Sequence, residues 1–213
     1  MRALVVAKAP VAGRVKTRLG AVIGMEAAAR VAAAALLDTL AACRAAFDEC
    51  HLAIDGELRG ACAEDALRER LRGWHLHAQR GTTFGERLAR AHADAGGPGP
   101  TVQVGMDTPQ VTASDLWQVA ETSGEGDAVL GPAPDGGWWV LCLQDPAAAA
   151  GLAGVPMSRA DTFARTRDAL VAVGQTVRVG ASVRDVDTVD DAEAVAREVA
   201  GGAFARAWRE VAR

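Results

Sequence analysis

Residues 2–19, RALVVAKAPVAGRVKTRL, decide how the rest of the chain is read. The run Arg2–Ala7 is short, apolar and carries two consecutive valines, the pattern of a strand buried on both faces. Residues 8–20 then read as a loop with one early glycine, Gly13, and four cations, Lys8, Arg14, Lys16 and Arg18. In open α/β sheets, ligands lie beyond the carboxyl ends of the strands. A loop there with cationic heads and free backbone N–H groups suits a di- or triphosphate, whose charge it neutralises in place of water. The loop is not a Walker A loop, because Val15 stands where a glycine would precede Lys16, and no GxGxxG turn is present. The competing reading is an ordinary solvated basic loop.

Working outward, the alternation of elements sets the class. An alanine-rich helix is expected over 25–46, a strand at 50–54, a charged helix over 57–72 and a strand at 74–78. A helix at 83–95 precedes the breaker GGPGP at 96–100, a strand at 101–105 and a helix at 112–123. Strands at 127–131 and 137–143 flank the turn PAPDGG, with a further strand at 176–179 and helices over 160–172, 188–200 and 203–212. Strands alternating with helices at this spacing predict an α/β sandwich with a mostly parallel central sheet and helices on both faces. GGPGP is too short to act as a linker between domains and no repeat is present, so 1–213 is expected to be a single domain.

Composition bounds the function. The 213 residues are 50% hydrophobic and 23% charged, enough for a sizeable core and unlike a disordered chain. A net charge of −4 argues against a nucleic-acid partner bound through a basic surface. The alanine-rich run is broken by Arg30, Asp38 and Arg44, so no membrane partner is expected. Cys43, Cys50, Cys62 and Cys142 lack CxxC spacing and read as reduced thiols; together with the short apolar start, this points to the cytoplasm. Against the overall negative balance, residues 1–25 carry +5 and the first acidic residue is Glu26. Of 23 basic residues only Lys8 and Lys16 are lysines, and both fall in this segment, where a compact point charge differs from arginine's planar fork.

Other strand ends carry carboxylates. Asp107, in GMDTP after the strand 101–105, is placed either to hold Mg²⁺ or to cap a turn. Asp135 precedes Gly136 and Gly137, a pair that lets backbone approach a ligand closely, and Trp138 and Trp139 then point to opposite faces. Asp185 and Asp187 alternate onto one side, which is costly without a cation or donors, while Thr188 could simply cap the next helix. His75 and His77 share a strand face without an apparent third ligand, and GxSxG is absent, which disfavours an α/β-hydrolase.

Taken in order, KAPVAGRVKTRLG, QRGTTFGERL, GMDTP, GPAPDGGWW and DVDTVDD resemble a bacterial family of small GT-A-type transferases, from Lys8 to about Asp191. Its members are described as glycosyltransferases or radical-SAM/selenodomain-associated transferases, with guanylyltransferases for 2-phospholactate and the molybdenum cofactor as relatives. The chain departs from the family pattern at Met106, at the paired tryptophans and at PMSR, residues 156–159.

The resemblance implies a nucleotide-diphospho-sugar-transferase fold and a Mg²⁺ (or Mn²⁺) cofactor. Asp107 would be the principal ligand, Asp187 the second and Asp185 a weaker candidate for that place. Lys8, Gly13, Arg14, Lys16, Thr17 and Arg18 would wrap the nucleotide phosphates, with Asp135, Gly136 and Gly137 across from them. Lys16 and Asp107 would be the catalytic pair. The implied partners are an NTP or NDP-sugar and a small-molecule acceptor. Four cations around the phosphates favour nucleotidyl transfer with pyrophosphate release. The alternatives are glycosyl transfer from an NDP-sugar and a nucleotide-binding module without catalysis.

Overall fold

In the computed structural model, which describes residues 1–97, 99–124, 127–199 and 201–212, seven strands form one sheet. They are β1 (Arg2–Lys8), β2 (Glu49–Asp55), β3 (His75–Ala78), β4 (Thr101–Val104), β5 (Asp127–Pro132), β6 (Trp138–Leu143) and β7 (Thr176–Val179). Their order is β3-β2-β1-β4-β6-β5-β7, and β6 alone runs against the rest. The chain walks outward from β1 through β2 to β3, then returns to place β4 on the other side of β1. That reversal opens a crevice at the carboxyl ends of β1 and β4, where Lys8 and Asp107 stand.

The helices are α1 (Thr17–Ile23), α2 (Met25–Ala46), α3 (Glu64–Arg70), α4 (Phe84–Ala95), α5 (Ala113–Thr122), α6 (Thr162–Ala172), α7 (Val189–Glu198) and α8 (Gly202–Val211). Alternation along β1 feeds two cores. Ala3, Val5 and Ala7 pack with α2, Leu67 of α3 and Leu116 of α5, whereas Leu4 and Val6 pack with Leu88 and Ala91 of α4 and Leu170 of α6. A third cluster joins Leu19 of α1, Val31 of α2, Val195 of α7 and Phe204 and Trp208 of α8 around Val186.

The expected sandwich and its strands are present, with differences at particular places. Loop 8–20 ends early, because α1 begins at Thr17. The helix expected over 57–72 is confined to Glu64–Arg70, after turns around Gly56 and Gly60, both with positive φ. The 3-10 segment Pro146–Gly154 has no counterpart among the expected elements; its alanine run has no polar face to give a period. Pro98 of the GGPGP breaker and Ala200, the last residue of the helix expected over 188–200, lie outside the described residues. Among the described residues no helix is long and apolar enough to cross a membrane.

The 3-10 segment lies against α4 so closely that a Cβ at Gly85 would run into the Leu152 carbonyl oxygen. Gly85→Ala gains about 1 kcal/mol of helix propensity. Overpacking against backbone, which cannot rotate away, costs roughly 1–3 kcal/mol. A lower Tm is therefore expected for Gly85→Ala. Gly154→Ala, where a Cβ meets nothing within 4 Å, is expected to melt within about 0.5 kcal/mol of the parent, as surface changes do.

Candidate active site

The first loop is fixed at both ends. Ala9 N–H donates to the Asp55 carbonyl (2.9 Å), Cys62 N–H donates to the Pro10 carbonyl (2.9 Å), and Val15 is buried in the first core. Gly13, at φ 77°, supplies the turn between these anchors. The backbone then enters the left-handed region again at Lys16 (φ 47°, ψ 47°), an uncommon conformation for lysine. This turn brings the Lys16 side chain under the loop, where it is only 8% exposed, while Arg18 is 80% exposed.

Lys16 Nζ lies 2.7 Å from Asp107 Oδ2 and 2.7 Å from Asp187 Oδ1. Lys16, expected to contact a nucleotide phosphate, thus bridges two carboxylates. Gly105 leaves room for it, since a Cβ there would lie 2.8 Å from Asp107 Oδ1. Asp185 and Asp187 share a side without being in a strand. Val186 between them is 2% exposed in the third core, and its N–H donates to the Asp107 carbonyl (2.9 Å). Thr188 also caps α7, in a reciprocal capping box with Asp191, so helix start and carboxylate display coexist.

Oxygen atoms of Asp107, Asp185 and Asp187 come within 4.8 Å of one another, the one such group among the described residues able to hold a metal ion. Hard carboxylate oxygens at this spacing fit Mg²⁺ or Mn²⁺. Burial would lower the Lys16 pKa, but the charges and hydrogen bonds of Asp107 and Asp187 outweigh it and hold the ammonium well above the ordinary lysine value. Burial, then repulsion from Asp107 and Asp135, pushes the Asp185 carboxyl up to about 6.

These groups line a cleft of about 600 Å³, within the usual size of a small-ligand site. Of the residues singled out in the sequence, Lys8, Arg14, Lys16, Thr17, Arg18, Asp107, Asp135, Gly137, Asp185 and Asp187 face it. Gly13 and Gly136 do not line it and act through backbone shape. Gly136 (φ 88°) packs where a Cβ would strike the Ala160 carbonyl oxygen, and Asp135 Oδ1 accepts from Gly137 N–H (2.8 Å) to close the turn. Trp139 is buried and donates to the Ala181 carbonyl (2.8 Å), whereas Trp138, half-buried, donates to Thr166 Oγ1 (3.1 Å).

Sequence reasoning missed some of the lining. Gln79 donates to the Ala7 and Ala53 carbonyls (2.8 and 3.0 Å), bridging the ends of β1 and β2, and it follows β3 directly, so the strand-end rule could have found it. Gln103, held by His92 (2.9 Å), had no local signal, and Met157–Arg159 stood out in the sequence only as the departure PMSR from the family pattern, not as cleft lining. His75 and His77 do find a third histidine, His51, whose Nδ1 is 3.0 Å from His77 Nε2, but none of the three lines the cleft. All four cysteines are free, and burial pushes the Cys50 and Cys142 thiols up to about 11, unlike nucleophiles.

Residues 36–159 match the family described as "Uncharacterized protein conserved in bacteria (DUF2064)". The chain belongs to the DUF2064 family. The matched stretch includes Asp107 and the Asp135–Gly137 turn, while the cationic loop and Asp187 lie outside it. No curated protein matches the chain. A structure from Desulfovibrio desulfuricans G20, provisionally described as a nucleotide-diphospho-sugar transferase, aligns with TM-score 0.80 and 25% identity over 99% of this chain and 95% of that one. Rv0371c of Mycobacterium tuberculosis H37Rv, solved in complex with manganese, aligns with TM-score 0.54 and 22% identity over 93% and 100%. The 4-diphosphocytidyl-2C-methyl-D-erythritol synthase of Anaerococcus prevotii DSM 20548 aligns with TM-score 0.54 and 12% identity over 89% and 94%. This DUF2064 chain therefore has the GT-A-like fold of nucleotidyl- and nucleotide-sugar transferases.

The raised Asp185 pKa makes stability depend on pH in a defined direction. Its contribution is fully present below the unfolded value near 4 and is lost as pH rises through about 6. In chelator-treated buffer, Asp185→Asn is expected to melt above the parent at about pH 8, the difference shrinking to nothing toward about pH 4. Thermal melts across that range check it.

Proposed function

We propose that this DUF2064 protein is a divalent-metal-dependent, cytoplasmic transferase that moves a nucleotidyl group from an NTP to a small phosphorylated acceptor. The observation that carries this reading is one cleft in which four cations, Lys8, Arg14, Lys16 and Arg18, stand beside the carboxylates of Asp107, Asp185 and Asp187. A donor that must lose pyrophosphate brings more negative charge than an NDP-sugar and uses that many cations. The fold shared with the nucleotidyl- and nucleotide-sugar transferases supports the same class, as do the five motifs from KAPVAGRVKTRLG to DVDTVDD.

In the reaction, an acceptor phosphate oxygen attacks the α-phosphorus, a new P–O bond forms, and the bond from α-phosphorus to the bridging oxygen breaks to release pyrophosphate. A divalent ion held by Asp107 and Asp187, with Asp185 beside them, would supply Lewis-acid charge at the phosphates. Lys16, Arg14 and Arg18 take up charge on the leaving group, which in phosphoryl chemistry is most of what a protein contributes. Lys8, exposed at the end of β1, extends the same positive wall. Met157–Arg159 and Trp138, which also line the cleft, are the residues this reading leaves for the acceptor.

Glycosyl transfer is the second reading, favoured by the provisional description of the Desulfovibrio structure. In it the same residues hold an NDP leaving group. Release of pyrophosphate or of nucleoside diphosphate, profiled over NTPs and NDP-sugars with candidate acceptors, separates the two; release of neither leaves the binding module.

With the donor so identified, Asp107→Asn is expected to abolish metal-dependent turnover. Losing a charge-assisted contact costs about 1.5–3 kcal/mol, so Lys16→Ala should lower kcat/KM by roughly ten- to a hundredfold. Lys16→Arg should restore some of it, because the fork keeps the charge but is bulkier than the ammonium. Parent-like kinetics in both lysine variants would remove the loop from the mechanism.

A further inference from the structure

The position of Lys16 Nζ is the position a cation between Asp107 and Asp187 would take. Its two contacts, 2.7 Å each, use one oxygen of each carboxylate, and Asp185 makes no hydrogen bond or ion pair among the described residues. Mg²⁺ sits about 2.0–2.1 Å from its oxygens and keeps near-ideal octahedral geometry. An ammonium and a divalent ion cannot share that space, and their like charges repel at such range. Among the described residues the one other cation paired with the trio is Arg18, 3.7 Å from Asp187 and largely in solvent.

We infer that the Lys16 ammonium is a resident competitor for the divalent ion, so that loading the ion at Asp107 and Asp187 requires Lys16 to swing away. This rests on the reading that those carboxylates hold the ion, and is independent of which group is transferred. Once freed from those two carboxylates, and with Asp185 beside the ion, the ammonium has Asp135 as the one carboxylate of the cleft lining outside that trio. The oxygens of a nucleotide phosphate in the same cleft supply further anionic partners. Ion and nucleotide therefore favour each other's binding through one side chain, and the coupling is reciprocal. The four-carbon stem of lysine allows this swing. Arg14 and Arg18, whose side chains do not lie between the carboxylates, cannot do it.

The chain has two lysines, Lys8 and Lys16, which makes the movement directly visible. In the full-length, chelator-stripped protein with ¹³C-labelled lysine, and with Lys8→Arg to leave a single signal, Mg²⁺ is titrated without nucleotide. The Lys16 Cε resonance is expected to move and to saturate together with ion binding measured by calorimetry. In parallel, Mn²⁺ is titrated by electron paramagnetic resonance into the parent, Lys16→Ala, and Lys16→Gly, which suits the left-handed backbone. Both variants are expected to bind Mn²⁺ at least about tenfold tighter than the parent, a gain of about 1.4 kcal/mol or more. Adding Asp107→Asn is expected to erase that gain.

Equal Mn²⁺ affinity in parent and variants, or saturation with Mg²⁺ while the Lys16 resonance stays in place, overturns the competition and leaves the metal reading standing. No ion binding by parent or variants overturns both. Neither result touches the reaction type, which is decided by the released product.

Discussion

One ammonium group holds three distant segments together. Lys16 is joined to Asp107 and Asp187, 91 and 171 positions away. Without a positive charge among them, three carboxylates within 4.8 Å would repel one another and push the end of β4 and the segment before α7 apart. Because Lys16 is nearly buried and the acids are half-open to solvent, the bridge has a short, oriented geometry while its outer oxygens remain accessible. Such a partly buried pair is weak evidence for net stability, since desolvation offsets much of the attraction. Its clear consequence is positional: it sets where the loop, the end of β4 and the segment before α7 meet.

The fold prepares that meeting from outside. The reversal of strand order at β1 and β4 opens the crevice, and the third core fixes what enters it. Leu19, three residues past Lys16, and Val186, between the two aspartates, are buried in the same cluster with Phe204 and Trp208. The C-terminal helices α7 and α8 have no strand between them and do not themselves line the cleft. They pack on α1 and α2 and so hold the loop and the Asp185–Asp187 segment in register with each other.

The architecture was legible wherever a single period ran long enough to show. Met25–Ala46 was readable to its ends, and every strand was readable to within a residue or two: in β1, β4, β5 and β6 burial on both faces leaves an apolar run between polar breaks, whereas the mostly exposed edge strands β3 and β7 showed through alternation and β-branched residues. The losses have local causes. The start of α1 hides behind Lys16, whose left-handed backbone no propensity anticipates. The Pro146–Gly154 segment is nearly all alanine and glycine, so it carries no pattern to read. In the site, the display of Asp185 and Asp187 was readable from alternation, although a buried Val186 rather than a strand produces it. Gln103 and Met157–Ala160 reach the cleft through the packing of distant segments, so a local window shows PMSR as unusual but not as lining.

The choice of lysine at position 16, in a chain whose one other lysine is Lys8, suits the shape of the space. On the proposed reading, in which this carboxylate pair also accepts a small, hard cation, its stand-in has to match that cation in size and charge density. The ammonium is a compact point charge with three donors that can meet two oxygens at once and then leave on a flexible stem. A guanidinium would spread its charge over a plane, favour a bidentate grip on one carboxylate and fill the volume around it. Arg14 and Arg18, on the exposed side of the same loop, face the cleft without that constraint and keep the residue type used elsewhere. Lys16 thus stands where a charge is held between two acids, whereas Arg14, Arg18 and the other lysine, Lys8, only face the cleft.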